Sequence, residues 1–201
     1  MPEKMTTAMV SPLAPAFNID ALVEELIVDE GFRNSAYPDI KGLMTIGVGH
    51  LIRDPKGVHK AGSKGAYKNS RFYNKKLSDK EVRDLLREDV GDKLVTARKM
   101  FGRQLFDFNP DLQHQVVSSI FRGSLVKAKN TRRLMKERKY KEAGDEYLNS
   151  DEYRLSVREG SGIAPRMDKM KKALHMQALK VGPPRSAMTF PEAIEKRLKT
   201  K

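Results

Sequence analysis

The sequence predicts a mostly helical α+β fold in two lobes: a small β-containing lobe, a long connecting helix and a larger helical lobe. Three observations predict it. Apolar residues at helical spacing (Ile19, Leu22, Val23, Leu26, Ile27) run up to a stop at Gly31. Turn signals and short β-prone runs then fill residues 35–52. Ser78-Asp79-Lys80-Glu81 reads as a capping box, and apolar residues recur behind it at helical spacing to about Met100.

Residues 1–17 read as an N-terminal tail, because termini are loose unless docked. Asn18 or Asp20 caps the first helix, and Glu30 continues its apolar stripe. Pro38-Asp39 and Lys41-Gly42 are turn signals beside β-prone runs at 43–46 and 48–52, so a small antiparallel sheet is expected. Residues 53–76 are basic and weakly patterned, with Tyr67, Phe72 and Tyr73 interleaved, and read as a long loop or a frayed part of the small lobe. In the long helix Val82, Leu85, Leu86, Val90, Leu94 and Ala97 form the inner face. Asn109-Pro110-Asp111 starts another helix, with a cap, a Pro at the first position and an acid in the first turn. Shorter helices are expected near 130–138, 140–149 and 165–180, the last turning Met167, Met170, Ala173 and Leu174 inward. The folded unit is thus 18–180, divided into a small lobe at 32–76, a connecting helix at 78–100 and a helical lobe at 101–180. Residues 181–201 read as a C-terminal tail with a short basic helix at 191–199.

Composition narrows the partners. A net charge of +13 favours a polyanion: nucleic acid, anionic lipid or a carboxylate-bearing cell wall. No cysteine is present, which excludes disulfides and thiolate metal sites. No run is long and apolar enough for a membrane span, and two prolines break the opening apolar stretch, a poor secretory signal. His59, His114 and His175 lack ligand spacing, so neither a metal nor another cofactor is expected.

The richest chemistry lies in Glu30 to His50. Glu30, Asp39 and Thr45 would place an acid, a carboxylate and a hydroxyl around one gap if the helix end faces the adjacent hairpin. Such a set can cut a glycosidic bond: one carboxylic acid protonates the leaving oxygen, and the other group activates a water. A carboxyl on an apolar stripe at a helix C-terminus is favoured in its protonated form by desolvation and by the helix dipole. Taken singly, Asp39 also suits ordinary turn chemistry and Thr45 an ordinary strand position. Asp89 falls beside the inner face of the long helix and needs a partner.

The spacing of Glu30, Asp39 and Thr45, opened by Glu30-Gly31 and closed by Thr45-Ile46-Gly47-Val48-Gly49-His50, resembles the phage lysozyme family of the T-even type. The likeness extends through Leu77 to Val90 and, more weakly, through Lys139 to Ala143 and Ala164-Pro165-Arg166, over roughly residues 19–177. The resemblance implies a lysozyme-like two-lobed fold and a muramidase. It would cut the β-1,4 bond between N-acetylmuramic acid and N-acetylglucosamine in peptidoglycan, with inversion, for host wall degradation or lysis. It also implies Glu30 as general acid, Asp39 and Thr45 as the water-side groups, a His50–Asp89 structural pair and Arg166 near Glu30, with Tyr37 as a supporting residue. Arg166 has the alternative of being one surface cation among many, and beside Glu30 it would favour the ionised form. Phe121-Arg122-Gly123-Ser124-Leu125 departs from the family's usual sequence.

A monomer is expected, located in the host cytoplasm before release to the wall through a membrane pore, with a virion-associated form as the alternative. Basic runs at Lys56 to Lys76 and Lys127 to Arg138 also suit phosphate contacts, with aromatic residues for stacking. That opens a rival reading, a lysozyme-like basic virion structural or DNA-associated protein without hydrolytic activity. Attraction to the anionic wall agrees better with the three site residues, and a chitin-cutting relative is the third option.

Overall fold

The computed structural model describes residues 17–39, 41–54, 57–58 and 70–181. Helix α1 (Ile19–Glu30) starts where Asn18 accepts a hydrogen bond from the Ala21 amide, so Asn18 is the cap and Asp20 an acid of the first turn. Leu22, Val23 and Leu26 are buried. The helix ends at Gly31, whose φ of 83° lies in the left-handed region open to glycine, and whose amide reaches the Ile27 carbonyl. Phe17 packs against the core and belongs to the fold rather than to the tail expected over 1–17. The rest of that segment lies outside the described residues, as do residues 182–201 with the expected short helix at 191–199.

Glu30 sits at the junction of the lobes, because the chain passes from α1 directly into the sheet. Strands β1 (Arg33–Pro38), β2 (Met44–Gly47) and β3 (His50–Leu51) form an antiparallel meander. Tyr37 pairs with Thr45, and Thr45 with Leu51. β1 is not among the β-prone runs of the sequence reading, which saw only turn signals from its last residue, Pro38, onward. Tertiary bonds settle its conformation: Asn34 Nδ2 donates to the Leu77 carbonyl at 2.8 Å, and the Leu77 amide donates back to the Asn34 carbonyl at 2.8 Å. The run expected at 48–52 is shorter than a full strand. Gly47 (φ 66°) and Gly49 (φ 77°) turn the chain around Val48 before His50 pairs. The expected loop at 53–76 contains a small hairpin, β4 (Arg53–Asp54) with β5 (Gly57–Val58). Tyr67, Lys56, Lys60, Lys64 and Lys68 lie outside the described residues.

Helix α2 (Asp79–Phe101) carries the capping box in full: Ser78 accepts from the Glu81 amide, and the Glu81 carboxylate accepts from the Ser78 amide. Its first half packs under the sheet, and its far end reaches α3 (Gln104–Asp107), so it spans both lobes. The helical lobe surrounds α4 (Pro110–Phe121), capped by Asn109 as expected and buried along most of its length from Gln115 to Ile120. α5 (Ser124–Lys127) and α9 (Ile163–Val181) pack on it, while α6 (Lys129–Lys136) packs on α7 (Tyr140–Leu148), and α7 and α8 (Asp151–Glu159) pack on α9. Met167, Met170, Ala173 and Leu174 face inward as the periodicity predicts. Gln177 is fully buried yet satisfied, accepting from the Asn109 amide at 2.7 Å and donating to the Asp107 carbonyl at 3.2 Å, which docks α9 onto the α3–α4 junction.

The sequence reading missed α3, α5 and α8. The first two are single turns, too short for a periodic signal. In α8 the buried residue is Ser156, while Leu155 and Val157 are exposed, so there was no apolar stripe to read. Ser150 caps α8, and the Ser156 hydroxyl accepts from the Ala164 amide at 2.7 Å.

Candidate active site

The structure brings two groups of the predicted residues into contact, Glu30 with Arg166 and His50 with Asp89. In the first, Glu30 is the last residue of α1, and its side chain keeps 25% exposure at the lobe junction. Arg166 in the first turn of α9 donates from Nη1 to Glu30 Oε1 at 2.9 Å, and from Nη2 to the Asp29 carbonyl oxygen. One guanidinium therefore grips both the side chain and the adjoining main chain, as its planar fork allows. Of the two alternatives open for Arg166, this is contact with Glu30. Asp39 and Thr45 lie on the hairpin that follows α1. Asp39 Oδ1 accepts from the Lys41 and Leu43 amides, each at 2.8 Å, so its turn role is real. Among the described residues Asp39 Oδ2 has no hydrogen-bond partner. Thr45 is buried at 4% exposure, and its hydroxyl donates to the Tyr37 carbonyl at 3.0 Å. The hydroxyl proton is thus committed, and its lone pairs remain to accept from a water. The Tyr37 ring lies 4.5 Å beneath the Arg33 guanidinium.

In the second group, His50 Nδ1 lies 3.0 Å from both Asp89 oxygens, joining β3 to α2. Phe72 packs edge-on against the His50 ring at 5.3 Å. A cleft of about 590 Å³ opens there, lined by His50, Leu51, Arg53, Asp89, Lys93 and Phe121 among others. It runs from the sheet to the end of α4, and Glu30 is not among its lining residues.

Comparison with protein families supplies the deciding observation. The phage lysozyme family model matches residues 28–149, a span that contains Glu30, Asp39, Thr45, His50 and Asp89. The chain belongs to the phage lysozyme family. Lysozyme-type glycoside hydrolase function, with peptidoglycan as substrate, follows from that membership. No curated protein matches the chain significantly. Arg166 lies beyond the matched span, so its place at the site rests on the geometry alone.

This phage lysozyme also has charged residues at the site that the sequence reading did not single out. Arg122 caps the end of α4, with Nη1 3.5 Å from Asp29 Oδ2 and 3.9 Å from Glu30 Oε1. Lys169 bridges Asp29 at 3.5 Å and Glu25 at 2.8 Å, and His114 Nε2 lies 2.6 Å from Glu25 Oε2. Three carboxylates on the last turns of α1 thus meet cations from α4 and α9. Sequence signals existed only in part: Arg122 stood in the segment that departs from the family pattern, and Asp29 stood next to Glu30. Among the described residues there is no cluster of His, Cys, Asp or Glu suited to a metal ion, and no helix long and apolar enough to cross a membrane.

The Glu25 carboxyl is held down at about 2, chiefly by His114 and further by Lys169, against the opposing effect of burial. Its folded value lies below its ordinary 4.5, so its contribution to stability is complete above about pH 4.5 and disappears as the pH falls toward 2. Glu25→Gln is expected to cost roughly 2 kcal/mol at neutral pH after allowance for solvent screening, and nothing near pH 2. Urea unfolding at several pH values checks this; a cost independent of pH would contradict it.

Proposed function

We propose that this lysozyme is a muramidase that hydrolyses the β-1,4 bond between N-acetylmuramic acid and N-acetylglucosamine with inversion. The supporting observation is the placement of Glu30 at the lobe junction. Its Oε1 is engaged by Arg166, and the chain continues directly into the hairpin bearing Asp39 and Thr45.

Glu30, protonated on Oε2, gives its proton to the glycosidic oxygen as the bond to the muramic C1 breaks. Arg166 holds Oε1, which leaves Oε2 for the proton. A water attacks C1 from the opposite face. Asp39 Oδ2 takes a proton from that water, while the Thr45 lone pairs orient it. The Lys41 and Leu43 amides fix Asp39 through its other oxygen. The His50–Asp89 pair holds β3 to α2 and so sets the hairpin's position. The enzyme serves host wall degradation in this reading.

Brief digestion of purified peptidoglycan, with product ends identified by mass and their anomeric form followed by NMR, tests the proposal. Muramic reducing ends that appear first as the α-anomer are expected. A β-anomer would overturn inversion, and glucosamine reducing ends would overturn the bond assignment.

A further inference from the structure

We propose that Arg122 is a second positioning cation for Glu30, held in reserve by Asp29 until Glu30 loses its proton; this rests on the muramidase reading above. Arg122 and Asp29 each keep only 14% side-chain exposure. Their facing atoms, Arg122 Nη1 and Asp29 Oδ2, are both buried; Nη1 has no hydrogen-bond partner, and Oδ2 is met only by the long ion-pair approaches of Arg122 and Lys169, each at 3.5 Å. Buried charged atoms left in this way are uncommon and call for an explanation. Nη1 stands 3.5 Å from Asp29 Oδ2 and 3.9 Å from Glu30 Oε1, bonded to neither and near both.

Proton transfer gives this arrangement a purpose. When Glu30 is protonated, Asp29 is the nearer negative charge and holds the guanidinium. As the proton passes to the glycosidic oxygen, Glu30 becomes a carboxylate, and a shift of Nη1 by less than 1 Å brings it to hydrogen-bond distance of Oε1. The new charge meets a cation already in place and shielded from water, which is how a fixed group lowers a barrier. Arg166 is already in contact with Glu30 Oε1 and the Asp29 carbonyl from the start, so it gains no new bond as the charge develops. Balance is simple: one proton moves from Glu30 to the leaving oxygen, and Arg122 keeps all of its own.

The charged groups linked to Glu30 by ion pairs are Arg166 and Lys169 on α9, His114 on α4 with Arg122 at its end, and Asp29 and Glu25 on α1. Lys169 and His114 engage Glu25 and Asp29, leaving Arg122 and Arg166 as the cations within 4 Å of Glu30 among the described residues.

The experiment is the pH profile of peptidoglycan hydrolysis for wild type, Arg122→Gln and Asp29→Asn, each checked for its fold by circular dichroism. Removing the cation in Arg122→Gln favours protonated Glu30, so the alkaline limb moves to higher pH while the peak rate falls on the order of tenfold, less than for a donor in direct contact. Asp29→Asn releases Arg122 to Glu30 in the resting enzyme, and the alkaline limb moves to lower pH. Opposite shifts, with the Asp29→Asn shift abolished when Arg122→Gln is added to it, support the inference; an Asp29→Asn shift that persists without the Arg122 cation is the direct field of the lost carboxylate and overturns it. Profiles that superimpose on wild type overturn it, whatever the change in rate. A wild type that hydrolyses nothing overturns the muramidase reading as well, which separates the two failures.

Discussion

Glu30→Gln is expected to reduce peptidoglycan hydrolysis at least about a hundredfold, the scale of a lost general acid. The change keeps the size of the side chain, and the amide oxygen can still accept the Arg166 bond made at 2.9 Å. What disappears is the proton on the other oxygen. The core is not at stake, since the Glu30 side chain is a quarter exposed and α1 is anchored through Leu22, Val23 and Leu26. The helical circular dichroism spectrum should therefore be retained. Hydrolysis above about a tenth of wild type would show that Glu30 is not the proton donor.

Asp39→Asn is the second large effect, again about a hundredfold or more in rate. The geometry makes this substitution selective. An Asn Oδ1 can accept from the Lys41 and Leu43 amides as the carboxylate does, so the turn stands while the charge and the base are removed. Asp39→Ala, by contrast, removes both bonds and should cost about 1–2 kcal/mol of stability in addition. Melting temperature and rate measured together distinguish these roles. An Asp39→Asn protein with near wild-type activity would reduce Asp39 to its turn role.

The same residue shows why the sequence was legible in part. Turn chemistry and catalysis are not rivals at Asp39, because its two oxygens can do different things, and a one-letter code cannot separate them. Glu30 was legible because a stripe, a stop at Gly31 and a fixed spacing to Asp39 and Thr45 are all local features. Capping signals at Asn18, Ser78 and Asn109 were local too, and each lies where a helix begins. β1 and α8 depend on partners distant in sequence: Asn34 needs Leu77, and Ser156 needs Ala164. Arg122 is the extreme case. More than ninety residues separate it from Asp29 and Glu30, so no spacing rule connects them. The same holds for Arg166, placed from sequence only by resemblance. The basic run from Lys56 to Lys76 is also clearer in structure at its end, where Arg71 and Lys75 pair with Glu88 and Glu81 instead of forming an unbroken cationic surface.

The most direct measurement is the release of soluble sugar from purified peptidoglycan by the wild type beside Glu30→Gln, with product ends identified by mass. The account predicts fragments with muramic acid reducing ends from the wild type and at least about a hundredfold less from the variant. No release by a well-folded wild type, or equal release by both proteins, would contradict it.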